Sequence, residues 1–295
     1  MSKPFNIIGV GEVLWDMFPD GPRFGGAPAN MACAIAGLAG SSAKVTMVSA
    51  VGNDILGTRA IESLKRLNVD VSAIQKNDFS TGTVTVNLNE TRQATYIITE
   101  DCAWDHIAEC ESLVELATTA DAICFGSLAQ RSEKSRSAIQ KTINAMPLTA
   151  LKVFDINLRE PFFTAEIISQ SLELANVLKL NEDELPVIAQ ILDISGDINS
   201  LIQQIKQQYK LNTIALTKGV QGSVILHNDE QVEVPIVPTT VVDTVGAGDS
   251  FTAALTLGLL QQNPLQDIAN FASKVSSFVC SKRGGTPQLT SLIQE

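Results

Sequence analysis

Histidine, cysteine and long apolar runs are scarce in this 295-residue sequence. The two histidines, His106 and His227, lie far apart and lack metal-site spacing, which argues against a zinc site and a Ser-His-Asp mechanism. The five cysteines are an odd number without a Cys-x-x-Cys pair, which is typical of a reduced cytosolic protein. The longest apolar run, residues 27–40, is too short to span a bilayer. We therefore expect a cytoplasmic protein without a membrane partner.

Positive charge is also scarce, because 21 lysine and arginine residues face 32 aspartate and glutamate residues, giving a formal net charge of −11. Non-specific nucleic-acid binding needs a basic surface, so we expect no nucleic-acid partner. A nucleotide ligand is compatible with this charge, because a local anion site and a metal ion can outweigh a distant negative field.

Short apolar segments alternate with segments of helical periodicity along most of the chain. The predicted strands are residues 5–10, 45–51, 122–125, 151–155, 177–180 and 213–216, with a hairpin at 223–226 and 231–237. The predicted helices are residues 27–38, 55–67, 133–145, 164–174, 198–209 and 267–281, and another that follows residue 249. This alternation predicts an α/β fold with a mainly parallel sheet and helices on both faces.

One segment departs from the strand–helix alternation. Residues 83–88 and 94–99 each alternate apolar and polar side chains, and residues 89–93 between them are polar and typical of a turn. This pattern predicts an antiparallel hairpin with one solvated face. A hairpin inserted in an α/β domain is often a lid or an oligomer interface, and we expect it to serve as such here.

A glycine-rich loop at residues 243–249 runs directly into a predicted helix. Gly246, Ala247 and Gly248 are expected to present free backbone N–H groups at the helix N-terminus, where the helix dipole also favours an anion. Asp249 places a carboxylate beside this anion site. Taken alone, the stretch is equally typical of a loop with an acidic first-turn residue that merely stabilises its helix.

Other polar clusters come directly after predicted strands, namely Asn157 with Arg159, Asn181 with Glu184, and Thr217 with Gly219. The carboxyl ends of parallel strands share one edge of a sheet and bind ligands there, so these clusters are expected to form one site with Asp249. An anion site, a base and a second acidic cluster suit phosphoryl transfer, which needs positioning and charge neutralisation.

The sequence lacks the motifs of three common classes of nucleotide-binding protein. It contains no Gly-x-x-x-x-Gly-Lys-Ser/Thr loop and no His-Arg-Asp or Asp-Phe-Gly signature, which argues against P-loop enzymes and protein kinases. After Gly9 and Gly11, a dinucleotide-binding fingerprint would need a third glycine at the position of Leu14.

The motifs resemble those of the ribokinase-like (PfkB) carbohydrate kinases. Residues 243–249 resemble the signature Asp-Thr-x-Gly-Ala-Gly-Asp, and Gly25-Gly26 with Asn30 is similar to the N-terminal signature. Asn181 with Glu184 matches Asn-x-x-Glu, and residues 217–219 with Gly222 resemble the nucleotide loop. The four motifs stand in the family's order within residues 5–287. The resemblance implies a three-layer sandwich around a mainly parallel sheet, with a small β-sheet lid.

The resemblance also implies one kinase domain over residues 1–295, with lid insertions near residues 12–24 and 81–100, and a role for each motif. Asp249 would be the general base, and the amides of Gly246, Ala247 and Gly248 would stabilise the transferring phosphoryl group. The residues implied for ATP binding are Asn181, Thr217, Gly219, Gly222, Gly246 and Gly248. The residues implied for sugar binding are Asp16, Gly25, Gly26, Asn30 and Arg159.

Metal ions are implied at two places. Glu184 would organise Mg²⁺ through water near the ATP phosphates, and some family members also need K⁺, for which Asp243 is the candidate. The residue types alone also allow roles outside the site. Asp16 could be a surface acid, Glu184 a solvated charge in an acidic run, and Arg159 the ion-pair partner of Glu160.

Within the family, residues 25–30, 126–128, 155–159 and 178–182 are most similar to bacterial fructokinases. The predicted sugar site contains no basic cluster that could bind a second phosphate, which favours an unphosphorylated sugar. Fructose is the first candidate, because of the similarity to fructokinases. Kinases of ribose, a sugar acid or a nucleoside remain alternatives, as does a sensor that binds without turnover. The partners are expected to be ATP, a small sugar and a second copy of the chain, bound through the lid.

Overall fold

The computed structural model describes residues 3–88, 94–289 and 292. The described strands are β1 Phe5–Val10, β2 Leu14–Phe18, β3 Gly21–Gly25, β4 Ala43–Gly52, β5 Ile74–Asn77, β6 Gly82–Leu88, β7 Ala94–Ile98, β8 Ala122–Phe125, β9 Leu151–Asp155, β10 Val177–Asn181, β11 Thr213–Thr217, β12 Ser223–His227 and β13 Glu230–Val234. The described helices are α1 Ala27–Ala39, α2 Ile55–Arg66, α3 Glu111–Thr118, α4 Glu133–Asn144, α5 Ala165–Leu174, α6 Glu184–Ile191, α7 Ile198–Tyr209, α8 Ala247–Leu260 and α9 Leu265–Cys280.

Among the described strands, nine form the larger sheet, in the order β13-β12-β11-β10-β9-β8-β1-β4-β5. The strands from β11 to β5 pair in parallel, whereas β12 and β13 add an antiparallel hairpin at one edge. This arrangement confirms the predicted parallel α/β sheet. It also brings the carboxyl ends of β1, β9, β10 and β11 to one edge, because parallel strands point the same way.

Helices cover both faces of this sheet. In β1, Ile7 packs into one apolar cluster and Ile8 into the other, because successive side chains of a strand point to opposite faces. The first cluster takes in side chains of α1, α2, α8 and α9, and the second takes in side chains of α3 to α7. The result is three layers, as predicted.

The smaller sheet has the order β3-β2-β6-β7. Its β6–β7 hairpin confirms the predicted strands, whereas the predicted turn at residues 89–93 lies outside the described residues. The parallel pair β2–β6 joins this hairpin to a second hairpin, β2–β3, whose mixed sequence carries no clear alternation. The small sheet predicted as a lid is therefore present, with two more strands than the sequence pattern showed.

Short elements account for the other differences between sequence and structure. Strand β5 and helices α3 and α6 have four, eight and eight residues, too few for a period to stand out. Across the part of the chain that the structure describes, no helix combines the length and the apolar character needed to cross a bilayer.

Candidate active site

Two cavities lie on either side of the start of α8. The first has a volume of about 420 Å³ and is lined by Asp249, and the second has a volume of about 500 Å³ and is lined by Gly248. Thr244 lines both. Two adjacent residues of one helix turn therefore face two different cavities.

The start of α8 is fixed by contact between two loops. Gly246 has a left-handed φ of +78°, and a Cβ atom there would lie 2.6 Å from the Cα atom and the carbonyl oxygen of Gly285. A side chain at this position would be strained and would also collide with backbone. The amide of Ala247 donates to the carbonyl of Thr244 at 3.3 Å, so the prediction of three free amides is wrong for Ala247, because the loop closes into a turn there.

Asp249 faces the first cavity from the first turn of α8. Its Oδ2 accepts a hydrogen bond of 2.8 Å from Nδ2 of Asn30, a buried residue in the first turn of α1. Burial and, to a smaller degree, the Asp155 carboxylate raise the pKa of Asp249 to about 6, and the hydrogen bond from Asn30 opposes the shift. A carboxyl group with this pKa is ionised at neutral pH and is more basic than an exposed aspartate.

The first cavity collects most of the residues predicted for sugar binding. Asp16, Gly26, Asn30 and Arg159 line it. Gly25 lies behind Asp16, where a Cβ atom would come within 2.9 Å of the Asp16 carboxylate. Burial raises the pKa of Asp16 to about 6, against the effect of Arg159. The partly buried Asp16 carboxyl thus faces the cavity.

The second cavity collects most of the residues predicted for nucleotide binding. Asn181, Thr217, Gly219 and Gly222 line it together with Gly248. Gly222 has a φ of +90° and sits against the Val234 carbonyl, so the loop and β13 approach closely there. Apolar side chains also line this cavity, among them Val220, Ile236 and Val241.

Glu184 lies behind the second cavity and is buried. Its two carboxylate oxygens accept backbone hydrogen bonds from Leu158, at 3.1 Å, and from Asn181, at 2.8 Å. Burial raises the pKa of Glu184, and the nearby Lys179 ammonium opposes the rise. Glu184 therefore joins the ends of β9 and β10 and is not a solvated surface charge.

Asp243 joins two loops. Its Oδ1 accepts from the Val245 amide at 3.1 Å and its Oδ2 accepts from the Gly284 amide at 3.0 Å. Nη1 of Arg23, from the small sheet, lies 3.7 Å from Oδ2. Both carboxylate oxygens of Asp243 therefore already accept a hydrogen bond. The K⁺ site at Asp243 stays a prediction. The described residues contain no cluster of three His, Cys, Asp or Glu side chains that could hold a metal ion directly.

Sequence comparison decides the family. The profile for pfkB family carbohydrate kinases matches residues 21–291. The chain belongs to the pfkB family of carbohydrate kinases. The resemblance drawn from the four motifs is confirmed, and the chain is a sugar kinase.

Relatives of this carbohydrate kinase cover nearly its whole length. The structure of PH1459 from Pyrococcus horikoshii in complex with ATP, described as an uncharacterized sugar kinase, has a TM-score of 0.83 at 28% identity and covers 98% of this chain and 97% of that chain. A fructokinase of Klebsiella pneumoniae is 29% identical over 275 residues, 89% of this chain and 87% of the relative. A fructokinase from Xylella fastidiosa has a TM-score of 0.84 at 24% identity, with 98% of each chain covered, and supports the fold. The ribokinase-like fold is confirmed.

Sequence reasoning missed one carboxyl group in the first cavity of this kinase. Glu12 is 2% exposed, and its Oε1 accepts from the Ala27 amide at 3.2 Å. Its buried Oε2 has no hydrogen-bond partner among the described residues. Burial raises the pKa of Glu12 to about 7. The signal in the sequence was its place directly after β1, at the same sheet edge as the other clusters.

Sequence reasoning also missed a buried ion pair between the cavities. Nζ of Lys179 lies 3.2 Å from Oδ1 of Asp155, and the two side chains are 7% and 1% exposed. Oδ2 of Asp155 accepts a hydrogen bond of 2.7 Å from the Thr252 hydroxyl on α8. The signal was a lysine between Leu178 and Leu180 in strand β10.

Proposed function

We propose that this kinase transfers the γ-phosphoryl group of ATP to a hydroxyl group of fructose. The observation that carries the proposal is the meeting of two cavities at the start of α8, with Asp249 on one side and Gly248 on the other. A sugar in the first cavity and a triphosphate in the second would meet at this point. In-line transfer needs the acceptor oxygen and the phosphorus atom to be held in this kind of contact.

The charges of the first cavity favour a neutral, hydroxyl-rich acceptor. Its charged lining consists of three carboxyl groups, Glu12, Asp16 and Asp249, against the guanidinium of Arg159. Carboxylates accept hydrogen bonds from hydroxyl groups, and they repel a sugar acid or a sugar phosphate. Fructokinases of Klebsiella pneumoniae and Escherichia coli, at 29% and 26% identity, are among the relatives that support fructose as the acceptor.

The second cavity suits a nucleotide. Its apolar side chains can hold a purine ring, and Gly219, which has no side chain, leaves the loop backbone open to the ligand. The structure of PH1459 with ATP supports this choice of ligand. The amide of Gly248, in the first turn of α8, would face the phosphates and stabilise their charge.

Mg²⁺ fits this site through water. It prefers oxygen ligands, keeps several waters and is usually held by few carboxylates together with substrate phosphates. Glu182 and Asp183 line the second cavity and Glu184 lies behind it, which suits such indirect contact. When bound, the ion would neutralise charge on the triphosphate.

In the proposed reaction, Asp249 takes the proton of the acceptor hydroxyl as that oxygen bonds to the γ-phosphorus and the bond to the β,γ-bridging oxygen breaks. Asn30 holds the Asp249 carboxylate at 2.8 Å and so fixes its direction. Arg159 would orient the sugar or the phosphates from the cavity wall.

A panel of acceptors tests the proposal. ADP release is measured with ATP, Mg²⁺ and, in turn, fructose, ribose, a nucleoside, a sugar acid and fructose 6-phosphate. Fructose should give the highest kcat/KM, and the two anionic acceptors should give the lowest. A higher kcat/KM for ribose, a nucleoside or an anion would contradict fructose. Binding of ATP and sugar without ADP release would instead support a sensor.

We propose further that residues 1–295 form one cytoplasmic domain that dimerises through the small sheet. Ile97 on its edge strand β7 is 57% exposed, which is unusual for a large apolar side chain and suits a covered interface. We expect a dimer in sedimentation equilibrium, which Ile97→Asp should convert to a monomer. Leu148→Asp is the matched control, since Leu148 is 94% exposed in another part of the chain. A wild-type monomer would contradict the proposal.

A further inference from the structure

We propose that Lys179 is a further catalytic residue, whose ammonium contacts the transferring phosphoryl group beside Gly248, and that Asp155 positions it. The inference rests on the proposed function, because it assumes that a triphosphate occupies the second cavity. It adds to that function a fixed positive charge at the point of transfer.

Lys179 reaches the start of α8 from the neighbouring strand. Its side chain lines the second cavity, and a Cβ atom at Gly248 would lie 2.8 Å from Nζ. The ammonium therefore lies directly against Gly248, one residue away from Asp249. Any larger residue at position 248 would displace either the lysine or the helix.

The ammonium retains hydrogen-bonding capacity for a ligand. A lysine has three N–H donors, and among the described residues Nζ donates to Asp155. Two donors thus remain on a cation that is 7% exposed and borders a cavity. Burial lowers the pKa of Lys179, but the neighbouring carboxylates, Asp155 foremost, raise it by more, so the ammonium stays charged.

Asp155 holds this cation in place. One oxygen accepts from Lys179 on β10 and the other accepts from Thr252, one turn after Gly248 on α8. The carboxylate thereby links three elements that meet at the site, β9, β10 and α8. A lysine held in this way has already lost the rotamer freedom that binding a phosphate would otherwise cost.

Stability alone does not account for the pair. Removing two charges from water costs free energy that their attraction only partly returns, and apolar replacements of buried ion pairs are often as stable. This pair borders a cavity and a proposed anion site, where its ammonium can act on a bound anion. Preorganised charge in a water-poor site stabilises charge that develops during a reaction.

In the step concerned, the acceptor oxygen forms a bond to the γ-phosphorus, the bond to the β,γ-bridging oxygen breaks, and the proton of the hydroxyl goes to Asp249. Lys179 exchanges no proton. It donates hydrogen bonds to the oxygens of the phosphoryl group, whose charge it offsets as ADP leaves.

The first test is Lys179→Met, with the acceptor that gives the highest kcat/KM in the panel. We expect kcat to fall about 10²-fold to 10³-fold, as when one donor to a developing charge is lost. The KM of the sugar and the Kd of ADP should change less than about threefold, because ADP lacks the transferring group. Lys152→Met is the matched control, since Lys152 is a half-buried lysine at the opposite end of β9. It should keep the wild-type kcat.

The double variant Asp155→Asn/Lys179→Met separates catalysis from folding. Lys179→Met alone leaves the buried Asp155 charge unpaired, which destabilises the fold, whereas the double variant removes both charges. We expect its unfolding midpoint to return toward that of the wild type while kcat stays about 10²-fold low. Asp155→Asn alone should lower kcat about tenfold with little change in KM, because the cation is kept but less well held. A kcat within about threefold of the wild type in either variant that lacks Lys179 overturns the proposal.

A structure of the wild-type protein tests the contact without any substitution. In a crystal with ADP, the acceptor and aluminium fluoride, Nζ of Lys179 should lie about 3 Å from a fluorine atom. A separation beyond about 5 Å would overturn the proposal whatever the variants do. The proposed function fails separately, if the wild-type protein releases no ADP with any acceptor.

Discussion

Asp249→Asn is expected to lower kcat about 10³-fold, a loss within the range for removal of a general base. Asn is nearly the same size as Asp and keeps one oxygen that can accept from Asn30, so the local geometry should survive. It cannot take a proton from the acceptor hydroxyl. The Kd of ATP should stay within about twofold, because Asp249 faces the first cavity and the nucleotide is assigned to the second.

The pH profile of the wild-type enzyme tests independently whether Asp249 is the base. The base must be ionised to work, and burial raises the pKa of Asp249 to about 6. The value of kcat/KM should therefore be level above this pH and fall about tenfold per unit below it. The acid limb should disappear from the residual activity of Asp249→Asn.

The matched control for this substitution is Asp267→Asn. Asp267 also lies in the first turn of a helix, α9, but is exposed and away from both cavities. It should keep the wild-type kcat and pH profile. If Asp249→Asn keeps kcat within about tenfold of the wild type, Asp249 is not the base.

Gly246→Ala is expected to lower kcat about 10²-fold while the protein stays folded. The methyl group meets the backbone of Gly285 at 2.6 Å, and backbone cannot rotate away as a side chain would. The left-handed φ adds about 1 kcal/mol of strain. The start of α8 must shift relative to the C-terminal loop, and both Gly248 and Asp249 move with it.

Gly284→Ala isolates the effect of the collision. Gly284 has a φ of +79°, nearly that of Gly246, but a Cβ atom there would meet no atom of the described residues within 4 Å. It should cost a similar backbone strain and leave kcat within about threefold. Steady-state kinetics and thermal unfolding of both variants make the comparison. Equal losses of kcat would mean that backbone strain, not the position of α8, is responsible.

The sequence predicted the second cavity better than the first. Asn181 and Thr217 end parallel strands and Gly248 lies in the first turn of a helix, so local pattern and one rule about strand ends bring them together. The first cavity depends also on the small sheet, whose strands β2 and β3 have no clear alternation. Asp16 was placed there by family resemblance, and the pattern of its own segment did not predict a strand.

The sequence pattern did not predict the positions of Lys179 and Glu12 in the site. Lys179 stands between two leucines of β10, and its proposed role depends on α8, which begins 68 residues later and places Gly248 against its ammonium. Glu12 becomes buried only when the turn before α1 folds over it, where a Cβ atom at Gly26 would collide with the Glu12 carbonyl. Both are non-local contacts, and neither leaves a period or a motif in the chain.

The carboxyl groups that line the first cavity link folding to proton uptake. Burial raises the pKa of Glu12 to about 7, and the pKa values of Asp16 and Asp249 to about 6. From about pH 4 to pH 7 the folded protein thus binds more protons at these three groups than the unfolded chain does, and their contribution to stability falls as pH rises. At neutral pH the protein without a sugar holds mutually repelling carboxylates around one cavity. A sugar whose hydroxyl groups donate to those charges would act as a folding ligand as well as a substrate.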